Sequence, residues 1–232
     1  MPADNPSWVA DAGGSVAMVR GDATDFPPLL RLGEGGGFVV ASWDPVLVVG
    51  MYLPPSLDPG EFEDRLAEIG DYLLRHTREL VLVAGDFNAK SRTWNPSWPN
   101  VRGEILEDWA ASMGLVLANR GEASTCVRPQ GQSIVDLLWV SPAVARRMTG
   151  WRVMAEVETL SDHLYIETSL PAVPSRAGPG FANRRRRPAS SALVRAERRD
   201  RGFPRWALSR LDADALAATI AASEWANEDE DF

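Results

Sequence analysis

Four short stretches place acids, an amide, an imidazole and a phenol at the ends or edges of apolar runs. They are Tyr52 in VVGMYLPP, Asp86 and Asn88 in LVLVAGDFNAK, Asp136 in SIVDLLWVS, and Asp162 with His163 in LSDHLYI. Each has a plain reading when taken alone. Tyr52 reads as a packed aromatic with a wet hydroxyl. GDFN reads as a turn, because Gly, Asp and Asn all favour turns. Asp136 reads as a loop cap, and Ser161–Asp162 as an Asx turn beside a histidine without a task. Together they form the set that metal-assisted phosphodiester cleavage needs. A carboxylate holds Mg²⁺ (or Mn²⁺) through oxygen, and the metal neutralises phosphate charge. A second carboxylate orients or deprotonates the attacking water. An amide and a protonated imidazole donate to the oxygens of the transition state. An aspartate behind the histidine raises its pKa and fixes its tautomer.

The elements that must position these groups are legible in the pattern. Residues 14–20, 37–43 and 46–53 read as short β-branched strands bounded by Gly or Pro. The prolines of YLPPS stop further pairing, since neither can donate to a ladder. Residues 59–78 predict an amphipathic helix, with Phe62, Leu66, Ile69, Leu73 and Leu74 at helical spacing, acids early and bases late. A strand over 79–84 follows, then the loop with Asp86 and Asn88. A helix over 102–113 ends at Gly114. LVLANR, STCVR and SIVDLLWVS read as strands, 142–147 as a short helix, and WRVMAEVE and HLYIETSL as a last strand pair. Helices and strands alternate, with hairpin-like pairs mixed in. The expected fold class is α/β (α+β-like): a layered sandwich with mixed sheets flanked by helices.

That domain is expected over residues 1–170. Residues 171–203, rich in Pro, Gly and Arg, read as a linker, and 204–232 as a connector helix with an acidic tail. The net charge of -8 is unevenly spread. Residues 176–210 hold eleven arginines against two acids, while 211–232 hold seven acids and no base. Attraction to DNA therefore rests on the middle segment or on a bound metal. Arg184, Arg185, Arg186 and Arg187 are candidates for backbone contact, set against an ordinary solvated linker run. Trp94, on the loop after Asn88, either stacks on bases or covers the core edge. The single cysteine, Cys126, excludes an internal disulfide, and no cysteine-based zinc site is expected. No apolar run approaches the ~20 residues that span a bilayer. No secretory signal is visible, which fits an intracellular setting, nuclear if chromosomal DNA is the substrate.

In order along the chain, GDFNA (85–89), SIVDLLWVS (133–141) and SDH (161–163) resemble the later motifs of the endonuclease/exonuclease/phosphatase superfamily. The resemblance is closest to the endonuclease domain of R1/I-type non-LTR retrotransposons. There GDFNA is followed by a Trp-containing loop, here KSRTWNP, then by RGxxLxxW, here Arg102, Gly103, Leu106 and Trp109, then by GLVLAN and STCVRPQGQSIVD. PRWALSRLDADAL (204–216) resembles the connector to the reverse transcriptase in those elements. The resemblance implies a DNase I-like fold and Mg²⁺-dependent nicking of DNA. It implies that Asp86 and Asn88 contact the attacking water and the phosphate, and that Asp162 and Asp86 serve the metal. It further implies that His163 donates to the phosphate, Asp136 orients His163, and Tyr52 holds a phosphate oxygen. The family's opening QxN strand and the glutamate that follows it have no counterpart before Tyr52. Glu34 and Asp22 stand in the wrong context. The expectation is thus a domain lacking its first strands, with weak or absent activity. The alternatives are a non-catalytic retroelement remnant and a phosphatase of the same superfamily.

Overall fold

The computed structural model describes residues 8–21, 27–75, 80–95 and 97–171. The expected connector and the arginine run 184–187 lie outside the described residues, as does all of the expected linker but Pro171. In chain order the elements are β1 (Trp8–Ala10), β2 (Ala17–Val19), β3 (Leu30–Gly35), β4 (Phe38–Trp43), β5 (Val46–Tyr52), α1 (Pro59–Arg75), β6 (Val81–Asp86), α2 (Val101–Ser112), β7 (Val116–Leu117), β8 (Cys126–Arg128), β9 (Gly131–Ser133), β10 (Asp136–Val140), α3 (Pro142–Ala145), β11 (Thr149–Val153) and β12 (Ile166–Ser169).

Six strands form the central sheet in the order β3-β4-β5-β6-β10-β7. The β5–β6 pair is parallel and its neighbours are antiparallel. A parallel pair needs a crossover, and α1 supplies it. Strand residues alternate between the two faces. Leu47, Val49, Met51, Val81, Val83, Leu137 and Trp139 turn to the main core under α1 and α2. Val46, Val48, Leu82, Ala84, Leu138 and Val140 turn the other way, onto Val144, Trp151 and Leu170. Both faces are covered, so these strands read as nearly unbroken apolar runs. On the second face stand the two-stranded β11–β12 sheet, through Trp151, and the β1–β2 sheet, through Val9 and Met18 against Val39 and Ala41, while β8–β9 form a further two-stranded sheet. The layered α/β sandwich with mixed sheets is therefore observed.

The helices start where their caps dictate. At α1, Glu61 N donates to Asp58 Oδ1 and Asp58 N donates to Glu61 Oε2, a reciprocal capping box. At α2, Asn100 Oδ1 accepts from Gly103 N at 3.0 Å. Two strands have no clear signature in the sequence. β1 is three residues long. β3 runs through LRLGEG, where glycine disfavours strand formation. Its glycine is a packing requirement: a Cβ on Gly33 would lie 2.6 Å from the Tyr72 ring of α1. No helix among the described residues is long and apolar enough to cross a membrane.

Candidate active site

β6 does not stop at Ala84. It continues to Asp86, where it pairs with Tyr52 of β5 on one side and Asp136 of β10 on the other. Residues in register across a sheet point to the same face. Tyr52, Asp86 and Asp136 therefore make one row at the rim of the sheet, on the face opposite α1 and α2. Gly85 lets the strands close this tightly, because a Cβ there would meet Met51 O at 1.8 Å.

The backbone turns immediately after the row. Asn88 takes a left-handed conformation, with φ of 46°. Its backbone N–H donates to Asp86 Oδ1 at 2.9 Å, and its side-chain Nδ2 donates to Asp86 Oδ2 at 2.8 Å and to Leu53 O at 3.2 Å. An extended strand would also set Asp86 and Asn88 on one face, but the turn holds them together here. Both amide hydrogens of Asn88 are engaged, so the side chain grips Asp86 where a phosphate contact was expected of it.

His163 completes the group from the loop before β12. Its Nδ1 lies 2.8 Å from Asp136 Oδ2 and 3.0 Å from Oδ1, which leaves Nε2 facing outward, 3.9 Å from Asp86 Oδ2. The hydrogen bond to Asp136 raises the His163 pKa, against the opposing pull of burial. Burial, then the charge of Asp136, pushes the Asp86 carboxyl up to about 6. Asp136 itself is placed by a residue with no role assigned from sequence. Thr125 is 0% exposed, and its Oγ1 accepts from the backbone N–H of Val135 and of Asp136, each at 3.1 Å. Asn119 Nδ2 holds the Asp136 carbonyl at 3.0 Å. Both lie inside motifs visible in the sequence, STCVR and GLVLAN, but nothing local marks them as supports.

Asp162 stands apart from the row. It forms an ion pair with Arg128, another residue without a sequence-based role, and its Oδ1 lies 4.0 Å from His163 Nε2. Burial opposes ionisation of Asp162, but the hydrogen bond and charge of Arg128 outweigh it and hold the carboxyl below its ordinary value. Trp94 is not available for base stacking. It is 4% exposed, donates from Nε1 to Ala89 O at 3.1 Å and packs edge-on against Trp139. Of its two sequence readings, the structure takes the one that covers the core. The same loop exposes Trp98, at 72%. Tyr52 also borders a cleft of about 600 Å³ lined by Asp11, Glu34 and Arg65, which includes none of Asp86, Asp136 or His163.

Asp86, Asp136 and His163 bring one ligand atom each within 4.8 Å of one another, so the group could hold a metal ion. The donors fit a cation. Two half-buried carboxylates bring oxygens within 4.8 Å of one another, and burial followed by the Asp136 charge raises the Asp86 carboxyl, a cost that a bound cation would relieve.

A family model described as endonuclease–reverse transcriptase matches residues 46–167. Among solved structures, the endonuclease domain of TRAS1, a telomere-specific non-LTR retrotransposon, is 23% identical with a TM-score of 0.57, covering 66% of this chain and 70% of that one. A 3′ phosphatase from Neisseria, bound to a product DNA hairpin, is 18% identical at a TM-score of 0.48, covering 59% and 65%. An AP endonuclease from Archaeoglobus fulgidus is 15% identical at 0.47, with the same coverage. No curated protein matches. The likeness to the first structure shows a shared DNase I-like fold.

Proposed function

Because this chain belongs to the endonuclease–reverse transcriptase family, we propose that it is a metal-dependent phosphodiester hydrolase that nicks DNA slowly. The observation that carries the reading is the Asp136–His163–Asp86 arrangement, with Nδ1 anchored at 2.8 Å and Nε2 turned out beside a raised carboxylate. Protonated His163 donates from Nε2 to a phosphate oxygen. Asp136 fixes its tautomer and stabilises the imidazolium. Asp86, ionised and gripped by Asn88, accepts the proton of the attacking water. Tyr52, next in the row, is placed to hold a phosphate oxygen. Mg²⁺, when bound, would supply charge neutralisation of the phosphate, with Asp86 and Asp136, the two carboxylates brought together beside His163, as the residues that would hold it. The substrate class is drawn from the relatives: a retrotransposon endonuclease and a phosphatase bound to DNA.

Slow turnover follows from the ligand count. Among the described residues the groups able to hold a metal contain aspartates, His163 and Cys126, and no glutamate. Mg²⁺ prefers six oxygens, and water must provide most of them here. The same observation supports the second reading, a folded domain that binds DNA without turnover. A phosphatase acting on small phosphorylated molecules is a third reading, which turnover of inositol phosphates without DNA nicking would support. The test is nicking of supercoiled plasmid by purified protein with Mg²⁺. The expected result is slow nicking that Asp86→Ala and His163→Ala abolish. Nicking that survives both substitutions overturns the proposal, and none at high enzyme concentration favours the second reading.

A further inference from the structure

Against the sequence expectation that one cysteine permits no zinc site, we propose that Cys126, Asp162 and His163 form a second, mixed-ligand metal site, for a thiophilic divalent cation of the Zn²⁺ class, whose occupation removes His163 from phosphate. The three residues bring ligand atoms within 4.8 Å of one another. Cys126 Sγ lies 3.9 Å from Asp162 Oδ2, and His163 Nε2 lies 4.0 Å from Asp162 Oδ1. Zinc bonds of about 2.0–2.3 Å in a tetrahedron set ligand atoms roughly 3.3–3.8 Å apart, so side-chain shifts of up to about 1 Å close the three ligands onto one ion.

The backbone holds the site open in that shape. Cys126 and His163 face each other as an antiparallel bridge, flanked by hydrogen bonds from Val127 N to Asp162 O and from Leu164 N to Thr125 O, both 2.7 Å. Opposed residues of such a bridge project to one side. The ring is already turned for coordination. A carboxylate on Nδ1 is the usual outer partner of a zinc-binding histidine, and Asp136 occupies that position. Sulfur, nitrogen and oxygen together select Zn²⁺ over Mg²⁺, which takes oxygen alone. Water fills the fourth position, as in open zinc sites. Burial raises the Cys126 thiol pKa, so the metal must displace the thiol proton: the S–H bond breaks, an S–metal bond forms and the proton leaves to solvent. Arg128 keeps Asp162 Oδ2, and Oδ1 is the oxygen that faces His163.

Binding stands independently of the proposed nuclease activity. Only the effect on catalysis rests on that reading. Cys126 is the only cysteine in the chain, so a thiolate-to-cobalt charge-transfer band on titration with Co²⁺ reports this residue alone. The expected result is such a band in the wild type, displaced by Zn²⁺ and absent in Cys126→Ser, with metal affinity at least about tenfold weaker. Absence of the band in the wild type overturns the site whether or not any variant folds. In the nicking assay, Zn²⁺ is expected to inhibit the wild type, and Cys126→Ser to nick normally with Mg²⁺ while resisting that inhibition. Equal inhibition of both proteins overturns the coupling to His163. A protein that shows the band but nicks nothing retains the site and refutes the enzymatic reading alone.

Discussion

Asp86→Asn should make the protein more stable at neutral pH while removing its activity. The folded pKa of Asp86 is about 6 against an ordinary 3.8. At about 1.4 kcal/mol per pH unit, holding the carboxylate ionised costs about 3 kcal/mol. An asparagine carries no such cost, but it cannot accept from both Asn88 donors, and one lost hydrogen bond takes back about 1 kcal/mol. The net gain is about 2 kcal/mol at about pH 8. Its pH dependence is what makes the argument specific. Below about pH 4 the group is neutral in both states and the cost is absent. Between about pH 4 and pH 6 the unfolded chain releases its proton first, so wild-type stability falls as pH rises. Above about pH 7 the penalty is complete. Urea unfolding of wild type and variant across this range measures it. A gain that is already present below pH 4, or none at pH 8, refutes the reasoning.

Asp136→Asn removes the main cause of the raised His163 pKa and the second cause of the raised Asp86 pKa, so both should fall. Proton NMR of the His163 ring should show it titrating at lower pH than in the wild type, and an unmoved titration contradicts the assignment. Thr125→Val strips two buried backbone N–H groups of their acceptor and is expected to cost about 2–4 kcal/mol, read by urea unfolding. A near-neutral change would show that Thr125 does not position Asp136. Gly85→Ala is expected to cost about 3 kcal/mol or more, because the added carbon would meet the Met51 carbonyl at 1.8 Å. A circular-dichroism melt as stable as the wild type counts against that close approach.

The motifs identified the family because Tyr52, Asp86 and Asp136 lie at strand ends, where a polar residue interrupts an apolar run, and Asp162–His163 lie in the loop just before β12. The central strands were legible as well, because VLVVGMY and DLLWV are the nearly continuous apolar runs expected of strands covered on both faces. β3 was not legible, because its Gly33 makes room for the Tyr72 ring of α1 and its Gly35 for Phe38 and Glu68. Nor was Trp94 distinguishable from Trp98, since one tryptophan packs on Trp139 and the other faces solvent by tertiary geometry alone. Asn88 shows a subtler gap. GDFN was legible both as a turn and as a site, and the structure makes it both, with the turn hydrogen bonds consuming the amide assigned to phosphate. Thr125 and Arg128 act only through partners distant in sequence, which periodicity cannot reveal.

The row of Tyr52, Asp86 and Asp136 also bears on when the chain can first act. All of α1 separates Tyr52 from Asp86, and α2 with three short strands separates Asp86 from Asp136. Such pairings close late, because long loops must lose their entropy first. During synthesis α1 and α2 are made before Asp136 and His163. A nascent chain therefore carries Asp86 without its anionic neighbour or its imidazole, and the proposed catalytic constellation does not exist until β10 and the loop before β12 have been made. Recovery of nicking after dilution from urea should accordingly lag behind recovery of the helical circular-dichroism signal.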